Sequence, residues 1–261
     1  MIRIATAVLL LALFFPALLW APAPLWAGLA GLVLLLGARE WGRLADFPRP
    51  VSWLYAALLA TLALAIYLAG AAALGHALLA VAAAFWILLA PWWLYRGWPR
   101  GAGWVRALVG AVVLLPTWIA LIDLRVHGPG VLLAIMAAVW IADSAAYYSG
   151  RAFGRRRLAP HVSPGKTWEG VAGAALALVL YSAALSHYAV HVSMAALALL
   201  LLALMYFAIL GDLFESWMKR QAGLKDSGHM LPGHGGVLDR VDALTAALPL
   251  AALVVWGLKL A

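Results

Sequence analysis

The chain has 261 residues, of which 67% are hydrophobic and only 11% charged, with a mean hydropathy of +0.99. A soluble domain carries roughly 25% charged residues, so composition excludes an ordinary water-soluble fold and leaves the lipid bilayer as the solvent. Cysteine is absent, which excludes disulfides and thiolate chemistry. The net charge of +8 fits loops lying against anionic lipid headgroups, and no nucleic-acid partner is expected.

Inside a bilayer only helices and closed barrels satisfy the backbone. Barrel strands alternate polar and apolar residues; blocks such as LALLLLALMYFAIL, residues 197–210, do not. The expectation is an all-α, polytopic transmembrane protein of about nine spans. They fall near 4–20, 25–38, 51–69, 76–95, 104–122, 130–148, 170–189, 194–213 and 241–259. The first run follows Arg3 and contains Pro16. Because further apolar runs follow it, it reads as a retained helix rather than a signal peptide. The second is short. Tryptophans such as Trp20, Trp53, Trp104, Trp168 and Trp256 fall near span ends, where an apolar ring and a polar N–H both find partners. No internal repeat or low-complexity linker divides the chain. It reads as one membrane domain, with N-terminal spans over 1–130 and catalytic spans and loops over 131–261.

Lysine and arginine orient these spans. With the N-terminus in the cytoplasm, sixteen of the eighteen basic residues fall inside, and only Arg125 and Lys259 fall outside. That split obeys the positive-inside rule. Two inside loops are long, about 149–169 and 214–240.

The polar residues then stand out against the lipid. Asp143 lies deep in the sixth span, where an ionisable group reads as functional by default. In GDLFESWMKR, residues 211–220, Asp212, Glu215, Ser216 and Lys219 are spaced to share one helix stripe. KDSG (225–228) and PGHGG (232–236) follow; a Gly-rich turn can aim N–H groups at an oxyanion, with His234 beside them. Asp239 and Asp242 are spaced to share a face at the start of the ninth span. Six of the ten acids, Asp143, Asp212, Glu215, Asp226, Asp239 and Asp242, thus collect on the cytoplasmic side. Unpaired they would repel; a hard divalent cation shared with substrate phosphates relieves this.

The other inside loop carries Arg151, Arg155, Arg156, Arg157 and Lys166 against the single acid Glu169. Its PGKT lacks the first glycine of a P-loop, because Pro160 stands there. Ser163, Lys166 and Thr167 nevertheless suit a phosphate. Acids, bases and glycines at one membrane boundary point to phosphate chemistry on a lipid. A transporter would spread its polar groups near the midplane of several spans, and a scaffold would not need this spacing.

Residues 216–242, with Ser216, Lys219, Arg220, Lys225, Asp226, Gly228, Leu231, Pro232, His234, Gly235, Gly236, Val237, Asp239, Arg240, Val241 and Asp242, resemble the signature of the phosphatidate cytidylyltransferases, or CDP-diacylglycerol synthases. ADSAAYYSGRAFGRRRLAPHVSPGKTWEG, residues 142–170, resembles a second block of that family, with Gly165 where the family has lysine. The resemblance covers about 140–244.

It implies a bacterial inner-membrane enzyme with its active site facing the cytoplasm. Such an enzyme would convert CTP and phosphatidic acid into CDP-diacylglycerol and pyrophosphate among membrane lipids, with Mg²⁺, a possible monovalent cation such as K⁺, and a homodimeric assembly. Carried onto this chain, the catalytic set would be Ser216, Lys219, Arg220, Lys225, Asp226, His234, Asp239 and Arg240. Ser163, Lys166, Thr167, Gly235 and Gly236 would bind substrate. Asp143, Asp212, Asp226, Asp239 and Asp242 would hold metal, with Glu215 as a further choice.

Overall fold

The computed structural model describes residues 2–97, 103–188, 192–230, 233 and 235–257. His234, Pro232 and Lys259, which the sequence reading singled out, lie outside the described residues. Among the described residues nine helical segments coincide with the nine apolar runs. They are α1 (Ile2–Trp20), α2 (Ala23–Leu44), α3 (Arg49–Leu68), α4 (Ala72–Arg96), α5 (Gly103–His127), α6 (Pro129–Phe153), α7 (Trp168–Ser186), α8 (Met194–Gln221) and α9 (Leu238–Gly257). The helices α2 to α8 are seven that are long and apolar enough to cross a membrane. The second span, expected to be short, continues to Leu44 and carries Arg39, Glu40 and Arg43 on its last turns.

The outer faces are oily. Leu13, Leu54, Leu88, Leu180 and Leu199 are all exposed by more than half. Water does not tolerate that much contiguous apolar surface, and lipid does. The interior is built around α9, whose Ala246, Ala247, Leu248 and Ala252 are fully buried and which packs against α8, α5, α4 and α6. Close packing of α8 on α9 depends on Gly211: a Cβ there would stand 2.7 Å from the Asp242 carbonyl. Small residues at such crossings let backbones approach in membranes.

Pro249 interrupts α9 and removes the N–H that the Thr245 carbonyl would otherwise accept. With no water in reach, side chains replace it. Trp86 Nε1–H donates to that carbonyl at 3.1 Å, and the Thr117 hydroxyl shares its one proton between the Val113 carbonyl at 2.7 Å and this one at 3.2 Å. Trp86 lies in a single π turn, Phe85–Leu89, inside α4, and meets Phe214 of α8 edge-on at 5.6 Å.

The loop between α6 and α7 is partly ordered as a hairpin, which an all-α expectation did not include. Strand β1 (Arg157–Ala159) pairs antiparallel with β2 (Ser163–Thr167). Tertiary and local polar contacts hold it. The Arg157 guanidinium donates to the Pro164 carbonyl at 2.5 Å. Glu169 accepts the N–H groups of Arg155 and Arg156, so the basic run is tied back to the start of α7.

The loops rich in lysine and arginine meet at one end of the bundle. There Asp46 pairs with Arg106, Arg43 donates to the Ser227 carbonyl, and Lys166 reaches Asp212. At the other end Arg125 donates to the carbonyls of Leu18 and Ala21, and His76 stacks on Trp256.

Candidate active site

At the loop-rich end, the last turns of α8 present the expected stripe. Ser216 Oγ donates to Asp212 Oδ1 at 3.2 Å, one turn back. Lys219 Nζ stands 3.3 Å from Glu215 Oε1 and 2.7 Å from Asp239 Oδ1. Thus Lys219 spans from α8 to the first turn of α9. Both Glu215 oxygens are buried and lack a hydrogen bond of good geometry, so Lys219 is their compensating charge.

Lys166 of β2 brings the hairpin onto the same stripe, 2.7 Å from Asp212 Oδ2. Asp143 of α6 lies within the electrostatic reach of both Lys166 and Asp212. Asp242 lies similarly close to Asp212, Lys219 and Glu215. Five acids, Asp143, Asp212, Glu215, Asp239 and Asp242, therefore face two lysines, Lys166 and Lys219. Carboxyl groups outnumber ammonium groups in the cluster. Among the described residues no three His, Asp or Glu side chains converge on one point as a preformed metal cage. The oxygen donors fit a hard cation whose shell is completed by phosphate oxygens, the usual manner of Mg²⁺.

Both oxygens of Asp239 are engaged: Oδ1 by Lys219, and Oδ2 by the N–H groups of Gly236 at 2.9 Å and Ser227 at 3.0 Å. It organises the loop and holds Lys219. The Gly236 N–H, expected to aim at an oxyanion, is therefore committed within the protein. Thr167 is buried and caps α7, its Oγ1 accepting the Gly170 N–H at 3.1 Å; it does not present a free hydroxyl. Ser163, opposite Ala159 in the hairpin, is half-buried. Gly235 is half-buried next to Asp239. Arg220, Lys225, Asp226 and Arg240 are exposed on the loop and helix ends around this core. They surround it without joining it.

Three contributors were missed by sequence reasoning: Glu40, Arg43 and Ser227. Glu40 of α2 is fully buried, and its Oε2 accepts from Ser227 Oγ at 3.1 Å and from the Leu238 N–H at 2.8 Å. A signal was present. An acid inside an apolar helix is functional by default, but the apolar run itself ends at Ala38, so Arg39 and Glu40 read as the start of a polar loop.

The fold and site define a multi-helix membrane protein with a carboxylate–lysine centre at one end of its bundle. Comparison with known proteins makes this specific. The chain belongs to the cytidylyltransferase family, whose model matches residues 1–258. It is 42% identical to the phosphatidate cytidylyltransferase of Pseudomonas aeruginosa over 98% of this chain and 96% of that protein. It is 34% identical to the phosphatidate cytidylyltransferase of Haemophilus influenzae, over 95% of each chain. The protein of the same name from Brucella suis is 43% identical over 63% of this chain and 59% of its own.

Proposed function

We propose that this protein is a phosphatidate cytidylyltransferase: it transfers CMP from CTP to phosphatidate, giving CDP-diacylglycerol and pyrophosphate. A phosphate oxygen of phosphatidate attacks the α-phosphorus of CTP. The bond from that phosphorus to the bridging oxygen breaks, and pyrophosphate leaves with its electron pair. The observation that carries the reading is the meeting of Lys166, Lys219, Asp212 and Asp239, from three separate elements, at the end of a membrane bundle. A water-soluble triphosphate and a lipid-held phosphate can only meet at such a boundary.

Two anions must approach one another, so charge neutralisation and in-line positioning supply most of the catalysis. Lys166 and Lys219 are bound to carboxylates, poised to be exchanged onto phosphate oxygens as these arrive. Ser216, half-buried beside Asp212, donates to a phosphate oxygen or to a bound water. Arg220, Lys225 and Arg240, exposed around the rim, attract CTP and the lipid headgroup, and His234, Ser163 and Gly235 are assigned to the substrate site. Asp143, Asp212 and Asp242, with Asp226 at the rim, would hold Mg²⁺, which supplies charge neutralisation for the triphosphate and orients it. A monovalent cation such as K⁺ would suit the remaining negative charge.

The same reading places the site on the cytoplasmic face of a bacterial inner membrane, with nine crossings, the N-terminus inside, and a homodimeric assembly. The basic residues gathered at one end support that orientation. The test is incubation of the purified protein with labelled CTP, Mg²⁺ and a panel of lipid phosphates. Formation of CDP-diacylglycerol with equimolar pyrophosphate is expected. CTP hydrolysis without a CDP-lipid, or preference for a lipid phosphate other than phosphatidate, would refute it.

A further inference from the structure

We infer that Glu40 is a positioning residue of the active site, by which α2 in the N-terminal half fixes the loop between α8 and α9. The inference rests on the reading of that loop as part of the catalytic centre. Glu40 is fully buried, yet it forms no ion pair among the described residues. Its Oε2 instead accepts two hydrogen bonds from opposite ends of one loop, from Ser227 Oγ and from the Leu238 N–H. Gly228 and Gly236 lie directly on the carboxylate, where a Cβ on either would overlap it. The loop is thus moulded around this one side chain.

From Glu40 the contacts lead to the centre without a gap. Ser227, held by its hydroxyl, donates its N–H to Asp239 and accepts Arg43 Nη1 at its carbonyl at 3.1 Å. Asp239 in turn holds Lys219 at 2.7 Å. Every polar group of Ser227 is therefore engaged, two of them by α2. An apolar side chain at position 40 would leave the Ser227 hydroxyl and the Leu238 N–H unpaired in a buried place. The loop would then move to satisfy them elsewhere, and Asp239 would move with it.

The chemistry required of position 40 is an acceptor oxygen rather than a charge. Oε1 of Glu40 is buried without a hydrogen-bond partner, so an amide NH₂ in its place displaces no acceptor in use. Glutamine should therefore replace glutamate at position 40, whereas alanine should not.

The test uses the full-length purified protein in mixed micelles with phosphatidate, measuring kcat, KM for CTP and thermal midpoint. It adds hydrogen exchange at the amides of Ser227, Gly236 and Leu238, which does not depend on turnover. Glu40→Ala should lower kcat about 10²-fold through misplacement of the reacting groups, with KM for CTP changed less than about threefold. Ser227→Ala should lower kcat about tenfold, and the double variant should be no worse than Glu40→Ala alone, because both act through one chain of contacts. Glu40→Gln should stay within about threefold of the starting protein, retaining the acceptor. Exchange at the three amides should rise at least tenfold in Glu40→Ala and Ser227→Ala, while amides in the middle of α5 stay unchanged.

Wild-type kcat in folded Glu40→Ala, equal damage in Glu40→Gln and Glu40→Ala, or unchanged exchange in the loop would each overturn the inference. Should Glu40→Ala fail to fold, Ser227→Ala with unaltered kcat and exchange overturns it equally. An inactive wild-type protein would instead refute the proposed function, and the exchange measurement would still decide this one.

Discussion

Lys219 is the residue on which the site turns. It holds Asp239 at 2.7 Å and is the nearest positive charge to the buried carboxylate of Glu215. Asp239→Asn would keep one oxygen to accept the loop N–H groups but would release Lys219 from its anionic partner. The expected result is a fall in kcat of about 10²–10³-fold, the scale of losing one preorganised electrostatic contact; near-normal turnover of CTP and phosphatidate would refute the assignment. Thr167 gives the converse case. Its hydroxyl caps α7, so Thr167→Ala should cost about 1 kcal/mol of stability and leave KM for CTP within about twofold. A tenfold rise in KM would restore the phosphate-binding role expected from the sequence. Spacing alone could not decide this, because a threonine before a helix is equally a cap and a ligand until its partner is seen.

At the scale of elements, apolar length located each helix, since the bilayer requires about 20 apolar residues to cross. The exact ends were decided by packing and loop contacts. Span two shows the cost of that limit: Arg39, Glu40 and Arg43 are polar, yet they continue α2 because the loop after α8 supplies their partners. The hairpin of β1 and β2 was not legible either, because its short, basic, proline-containing strands have no alternating pattern.

The crossing of α9 with α4 and α5 carries another prediction. The Thr245 carbonyl, orphaned by Pro249, is served by Trp86 and Thr117. Trp86→Phe combined with Thr117→Val should destabilise the protein by about 1–3 kcal/mol, the cost of a buried acceptor left unmade. In a Pro249→Ala background that loss should shrink, because residue 249 can then donate. Thermal denaturation in detergent, with the same pair in both backgrounds, measures the difference; equal losses would exclude this account of α9.

At the scale of the molecule, the loop-rich end should face the cytoplasm. The absence of cysteine makes the chain a clean background for labelling. Gly165→Cys, at an open position of the hairpin, should react with an impermeant maleimide only in inside-out vesicles. Ala72→Cys, at the start of α4 near the opposite end, should react only in right-side-out ones. The reverse pattern would invert the topology.

By itself the sequence determined the solvent, the helical class and the end of the bundle where chemistry belongs. Lipid excludes charge, so the few charges that remain mark function, and the spacing of Asp212, Glu215, Ser216 and Lys219 placed them on one helix face. Only the tertiary structure decided which charges touch. Contacts between residues as far apart as Glu40 and Leu238 leave no periodicity in either segment. Both oxygens of Asp239 proved to be occupied for the same reason: a carboxylate's role depends on which donors the fold brings within about 3 Å of it, and those donors come from other helices.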